Sequence, residues 1–248
     1  MALTKVGKEG ITGISNSSDA TAITIDSSEN VGVGVSPTTS YGHVVQIHDT
    51  GTGGANLRLT DSVSGSGTGN GLDILQIGAN THILNRESGS MTLYTSAEDA
   101  IIIDANGQVT MPLQPAFSAV NNGTQANIAT SSQVEVALGT ERFDVNGDFA
   151  SNTFTAPVTG KYQLNAILRL DNIDSGADYY ELKLVTSNKN YALNVDPDFG
   201  QDNSYWDMTI SVLADMDASD TALVQVRQQS GTAQADIVDF TFSGFLAC

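Results

Sequence analysis

The run NTFTAPVTGKYQL, Asn152 to Leu164, decides how the chain is read. A β-branched and aromatic segment meets a Pro-Val-Thr-Gly turn. The chain leaves that turn with Tyr162, Leu164, Ala166, Leu168 and Leu170 at every second position, while Gln163, Asn165 and Arg169 take positions between them. A period of two predicts a strand with one buried face.

Working outward, the same alternation recurs. Tyr180, Leu182 and Leu184 oppose Tyr179, Glu181 and Lys183; Trp206, Met208, Ile210 and Val212 oppose Asp207, Thr209 and Ser211. Further runs are PAFSAVN, QVEVAL, YALNV, TALVQVRQQ and DFTFSGFLA, divided by turns and with no helical stretch. Such spacing predicts a two-sheet sandwich, and eight or more strands between residues 113 and 248 fit a jelly roll.

Aromatic residues draw a boundary. All eight Phe follow residue 112, as do Trp206 and five of the seven Tyr, leaving Tyr41 and Tyr94 upstream. Aromatic side chains dominate ordinary cores, so the C-terminal part can fill an interior that the upstream part cannot. The join is MPLQPAF, where Pro112 and Pro115 deny ladder donors.

Upstream, short strands alternate with Gly/Ser/Asn/Asp turns. AITIDSSENV (22–31) and AIIIDANGQV (100–109) read as one hairpin unit used twice: β-branched residues, an Asp, a polar turn and a returning Val. Other strand runs are NLRLT and LDILQIG, the latter followed by a turn at ANT. A segment with few large apolar groups and no disulfide buries too little surface alone. Three copies wound together share one core and remove exposed sheet edges. The reading is therefore all-β: a β-rich stalk over 21–112, intertwined in a trimer, and a jelly-roll knob over 113–248. Residues 1–20 are left as an attachment segment.

With 28 acidic against 10 basic residues the net charge is −18. This argues against binding a nucleic-acid backbone or an anionic membrane surface. No run approaches the length of a membrane span. MALTKVGKEG lacks the apolar run of a signal peptide, so synthesis in a cytoplasm is expected. Cys248 is the single cysteine.

Enzyme constellations are absent from the sequence pattern: no nucleophile elbow, phosphate loop or zinc spacing. His43, His48 and His82 all lie upstream of the knob, and the first two point to opposite faces of an extended strand. No catalytic residue and no cofactor is expected. Loop aspartates are the metal candidates, with Asp171, Asp174 and Asp178 offering hard oxygen ligands for calcium.

Two resemblances follow from quoted residues. PAFSA at the knob's start, Phe143-Asp144, NTFTAPVTGKYQLNA and the terminal FTFSGFLA resemble the complement q-subunit globular head, one of the tumour-necrosis-factor-like jelly rolls. That resemblance implies a ten-strand jelly roll forming a compact homotrimer, with Tyr162, Phe242 and Phe245 at the threefold contact. ITGISNSSDATAITIDSSENVGVGVSP is similar to segments of tail-fibre and other virion proteins of marine bacteriophages, where a variant of ITIDSSGNVGIG recurs; here Glu29 and Val33 depart from it.

Together these imply a phage virion fibre, homotrimeric, joined to another virion protein through its N-terminus and contacting a host-surface glycan or protein with its knob. Tyr179 and Tyr205 are the receptor-facing candidates. The alternatives are a head-decorating fibre or connector that reads no receptor, and a polysaccharide-cleaving tailspike.

Overall fold

The computed structural model describes residues 23–38 and 42–248, and among these every regular element is a strand. The expected attachment segment, 1–20, and Tyr41 lie outside the described residues. β1 (Ile23–Ile25) and β2 (Val31–Val33) form the first expected hairpin, and β3 (Val45–Ile47) adds parallel to β2. The Asp26 carboxylate accepts the Ser28 and Asn30 amides at 2.8 and 3.0 Å, closing the turn on itself. β4 (Ala55–Leu59), β5 (Leu72–Ile77) and β6 (Asn80–Asn85) make an antiparallel sheet. β6 begins inside the ANT read as a turn; the connection is only Gly78 and Ala79, with Gly78 at φ 56°. β7 (Met91–Thr95), β8 (Glu98–Ile103) and β9 (Val109–Thr110) form a third sheet. Between β8 and β9 the first turn's chemistry returns: Asp104 accepts the Asn106 and Gln108 amides, both at 2.8 Å.

The chain divides into two compact units. The first reaches to Met91 and takes in Ile103–Gln108; the second takes in Thr92–Ile102 and Val109–Cys248. Pro112 and Pro115 lie between β9 and the next strand.

The second unit holds the sandwich. Its strands are β10 (Ala116–Val120), β11 (Val134–Glu135), β12 (Thr140–Asp144), β13 (Phe149–Ala150), β14 (Thr153–Thr155) and β15 (Gly160–Ile173). They continue with β16 (Ala177–Thr186), β17 (Asn190–Val195), β18 (Asn203–Met216), β19 (Thr221–Ser230) and β20 (Asp236–Leu246). One sheet runs β12-β10-β20-β15-β18; the other runs β13-β14-β19-β16-β17, with β11 also on β19. The fold is a jelly-roll β-sandwich.

The alternating residues of β15 face inward as their period requires: Tyr162, Leu164, Ala166, Leu168 and Leu170 are all fully buried. Phe117 bridges the sheets, stacked on Phe149 and Phe154 at 5.1 and 4.6 Å and edge-on to Phe242 at 4.9 Å. Fully burying such a side chain is worth roughly 1.5–3 kcal/mol. Among the described residues, every buried apolar side chain of the core is Phe117 or later.

The polypeptide enters the sandwich at the end where β20 finishes. Leu246 donates its amide to the Pro115 carbonyl at 3.0 Å, and Lys161 donates to Cys248 at 2.7 Å. Ile173 pairs with Asn203 at the opposite end, which is built of loops.

Candidate functional site

Asp174 organises that loop end. Its carboxylate is nearly buried and accepts backbone amides from Gly176 at 2.8 Å, Thr232 at 2.5 Å and Ala233 at 2.8 Å. Its own amide donates to the Tyr180 hydroxyl at 2.9 Å. The Ala233 bond, followed by those from Gly176 and Thr232, holds the carboxyl below the usual carboxylate range. Burial pushes the Tyr180 phenol up.

The three loop aspartates named as calcium candidates are not brought together. Asp174 spends its oxygens on backbone, Asp178 accepts the Ser230 hydroxyl at 2.8 Å, and Asp171 lies 3.4 Å from Arg169. The three carboxylates have separate partners. Among the described residues no group of three His, Cys, Asp or Glu is placed to hold a metal.

The two tyrosines lie on different sheets. Tyr179, on β16, is half-buried beside Arg227, whose guanidinium sits 6.0 Å from the ring centroid. Tyr205, on β18, is 54% exposed, with the Arg169 guanidinium 4.2 Å from its ring. Trp206, its neighbour on the inward phase, stacks on Phe199 at 4.8 Å.

The expected trimer residues separate by burial. Tyr162 and Phe242 are fully enclosed in their own chain, and the Tyr162 hydroxyl donates to the Val158 carbonyl at 2.8 Å. A side chain with no surface left has none to give a second chain, so these two are core. Phe245 is 48% exposed.

Phe245 belongs to a larger surface. On the outward face of the first sheet, one row runs Phe245, Gln163, Leu213; the next runs Phe143, Ser118, Ser243, Asn165, Ser211; a third holds Thr241, Ile167 and Thr209. Phe143, Ile167 and Leu213 are each more than half exposed. Between them the Ser211 hydroxyl donates to Asn165 at 2.8 Å and receives the Gln163 amide at 2.9 Å. No charged residue occurs in these three rows. The next row, Asp239, Arg169 and Asp207, is fully charged. This uncharged zone sets four exposed large apolar side chains, Phe143, Ile167, Leu213 and Phe245, among Ser, Asn, Gln and Thr. Sequence reading passed over Ile167 and Leu213, although both are large apolar residues in the polar phase of their strands.

In the first unit the β4-β5-β6 sheet has two unlike faces. Leu57, Ile74 and Ile83 stand in one cross-strand row, with Leu59 and Leu72 in the next, and all but Leu72 are exposed. On the other face Asp73 is buried and accepts Arg58 at 2.7 and 2.9 Å, Asn56 at 3.0 Å and Arg86 at 2.5 Å. The Arg58 and Asn56 bonds hold the Asp73 carboxyl far below its usual range. The ionic side is satisfied and the apolar side is uncovered.

No protein-family profile matches the chain, and no curated protein matches it. Among solved structures, the globular domain of zebrafish complement 1qA protein is similar at 20% identity and a TM-score of 0.40, over 54% of this chain and 98% of that one. Crystal structures of murine APRIL at pH 8.0 and pH 8.5 are similar at 11% and 10% identity, each with a TM-score of 0.38 over 54% of this chain and 99% of that one.

Proposed function

We propose that the protein is a homotrimeric bacteriophage virion fibre that attaches to the host surface through its jelly-roll knob. The observation that carries this reading is the apolar surface left uncovered in a single chain. Upstream of Phe117, among the described residues, Ile23, Ile25, Val45, Leu57, Leu59 and Ile83 are all exposed. A soluble monomer rarely leaves such a set open, whereas copies sharing one interior cover it.

The knob supplies a second self-contact through Phe143, Ile167, Leu213 and Phe245. Three is the stoichiometry implied by the sequence resemblance. Residues 1–20 join another virion protein, which places the mature protein in the virion. Trimerisation multiplies a weak contact at each knob through effective concentration, so recognition needs no deep pocket. The role is binding, without catalysis.

Purified full-length protein, added to host cells before infection, is expected to adhere to them and slow phage adsorption. Protein that neither adheres nor competes contradicts the attachment role.

A further inference from the structure

We propose that a cleft at the loop end of the sandwich binds a neutral, hydroxyl-rich ligand, a saccharide of the surface to which the fibre attaches. The inference rests on the attachment reading and names its chemistry.

Two connections and two strand ends meet at this cleft, of about 500 Å³. Asn127 comes from the β10–β11 connection, Asn172 from the end of β15, Asp202 with Asn203 and Ser204 from the start of β18, and Gln234 from the β19–β20 connection. Asn127, Asn172, Asp202 and Gln234 are held before any ligand arrives. Asp236 accepts the Asn127 amide at 2.7 Å and the Asn172 side chain at 2.8 Å. Gln234 donates to the Ile128 carbonyl at 3.1 Å, and Asp202 accepts the amide and hydroxyl of Ser175 at 2.9 and 2.7 Å. Asp174 pins the neighbouring turn from beneath. A cleft ordered in this way loses little freedom on binding.

The lining selects the ligand. Amides predominate, and each carries both a donor and an acceptor, the complement of adjacent hydroxyls. Among the described residues the side chains of Asn203 and Ser204 make no hydrogen bond within the protein and remain available. The lining holds neither Lys nor Arg, so an anionic ligand meets Asp202 and a chain of net charge −18 with no countercharge. A second cleft, sharing Asp202–Ser204, continues to Tyr205 and Trp206. The open Tyr205 ring, backed by Arg169, offers a flat apolar surface to the C–H face of a sugar ring.

The test titrates the full-length oligomer with the methyl glycosides of glucose, galactose, mannose and N-acetylglucosamine, followed by the emission of Trp206, the single tryptophan. Sialyllactose and a lysine-rich peptide serve as charged comparators. At least one neutral glycoside is expected to give a saturable change, with none from the charged probes. Asn203→Ala and Ser204→Ala each remove a side chain without an internal partner; each is expected to weaken binding by about ten-fold with Tm and native mass unchanged.

Absence of binding by every neutral glycoside, preference for a charged probe, or wild-type binding by both variants overturns the inference. Adhesion to host cells is measured on the same three proteins. Adhesion retained by both variants leaves the attachment role standing and removes the cleft from it. Glycoside binding without wild-type adhesion overturns the attachment role and leaves the cleft's chemistry intact.

Discussion

Asp174 shows how much a single carboxylate can hold. Removing it strands three backbone amides at the loop end, and leaving buried donors unpaired costs on the order of 1–3 kcal/mol each in the worst case. Asp174→Ala is therefore expected to lower the stability of the knob by about 2–4 kcal/mol, measured by denaturant unfolding. Because the folded carboxyl sits below its unfolded value, its stabilisation is present above the unfolded pKa and is lost as pH falls through the folded one. Asp148 has the opposite sign. Burial first, and then the Asp144 charge, raise its carboxyl, and one of its oxygens is buried without a partner. Its ionisation therefore opposes folding, with the penalty appearing as pH rises through the unfolded pKa and complete above the folded one. Asp148→Asn is expected to raise Tm at neutral pH and to lose that advantage in acid, where the wild-type group is protonated; an unchanged Tm at pH 7 contradicts this. Sequence showed where acidic residues cluster but not what Asp174 does, since Thr232 and Ala233 lie far along the chain. Tyr162 was legible as an inward residue by its period; its trimer role came from the resemblance, and packing returned it to the core.

At the scale of elements, alternation located the long strands because β15, β16, β18 and β19 repeat the inward phase over many residues. It missed β12 and β13 as separate elements, and upstream it missed β3, β6 and β7. β13 is two residues long, and β6 opens on the polar residues Asn80 and Thr81, so neither has enough apolar periods to register. The repeated hairpin was legible from Asp26 and Asp104, and the structure gives both the same turn. Glu29 stands at φ 66° where the second turn has Gly107 at φ 81°. A side chain in that region costs roughly 1 kcal/mol, partly offset by the entropy glycine loses on folding. Glu29→Gly is expected to strengthen the hairpin, seen as slower hydrogen exchange at the Asp26 amide, which donates to the Asn30 carbonyl across the turn; faster exchange contradicts the turn's role. In the sandwich, Gly244 lies between Phe117 and Leu164 on neighbouring strands. A Cβ there meets Leu164 Cδ2 at 2.6 Å and Phe117 Cε1 at 2.8 Å. Gly244→Ala is expected to cost about 1–3 kcal/mol by overpacking, again measured by denaturant unfolding.

For the molecule as a whole, aromatic content changes abruptly at Phe117, and among the described residues the buried apolar core begins there, whereas the two compact units divide earlier, between Met91 and Thr92. The outward face of the knob was less legible. Its rows are assembled from five strands, and Phe143, Ile167, Leu213 and Phe245 fall on one face only once register is known. Leu213→Asp with Phe245→Asp is expected to lower the denaturant concentration at which the oligomer dissociates while the native β-sheet circular dichroism persists; an unchanged dissociation midpoint contradicts the assignment of this face. Everything about function depends on whether separate copies cover the apolar surface that one chain leaves open. The mass of the full-length protein in solution, by sedimentation equilibrium or native mass spectrometry, decides this. The account predicts a species of three times 25.9 kDa. A monomer of 25.9 kDa whose amides between Ile23 and Thr110 resist hydrogen exchange contradicts it.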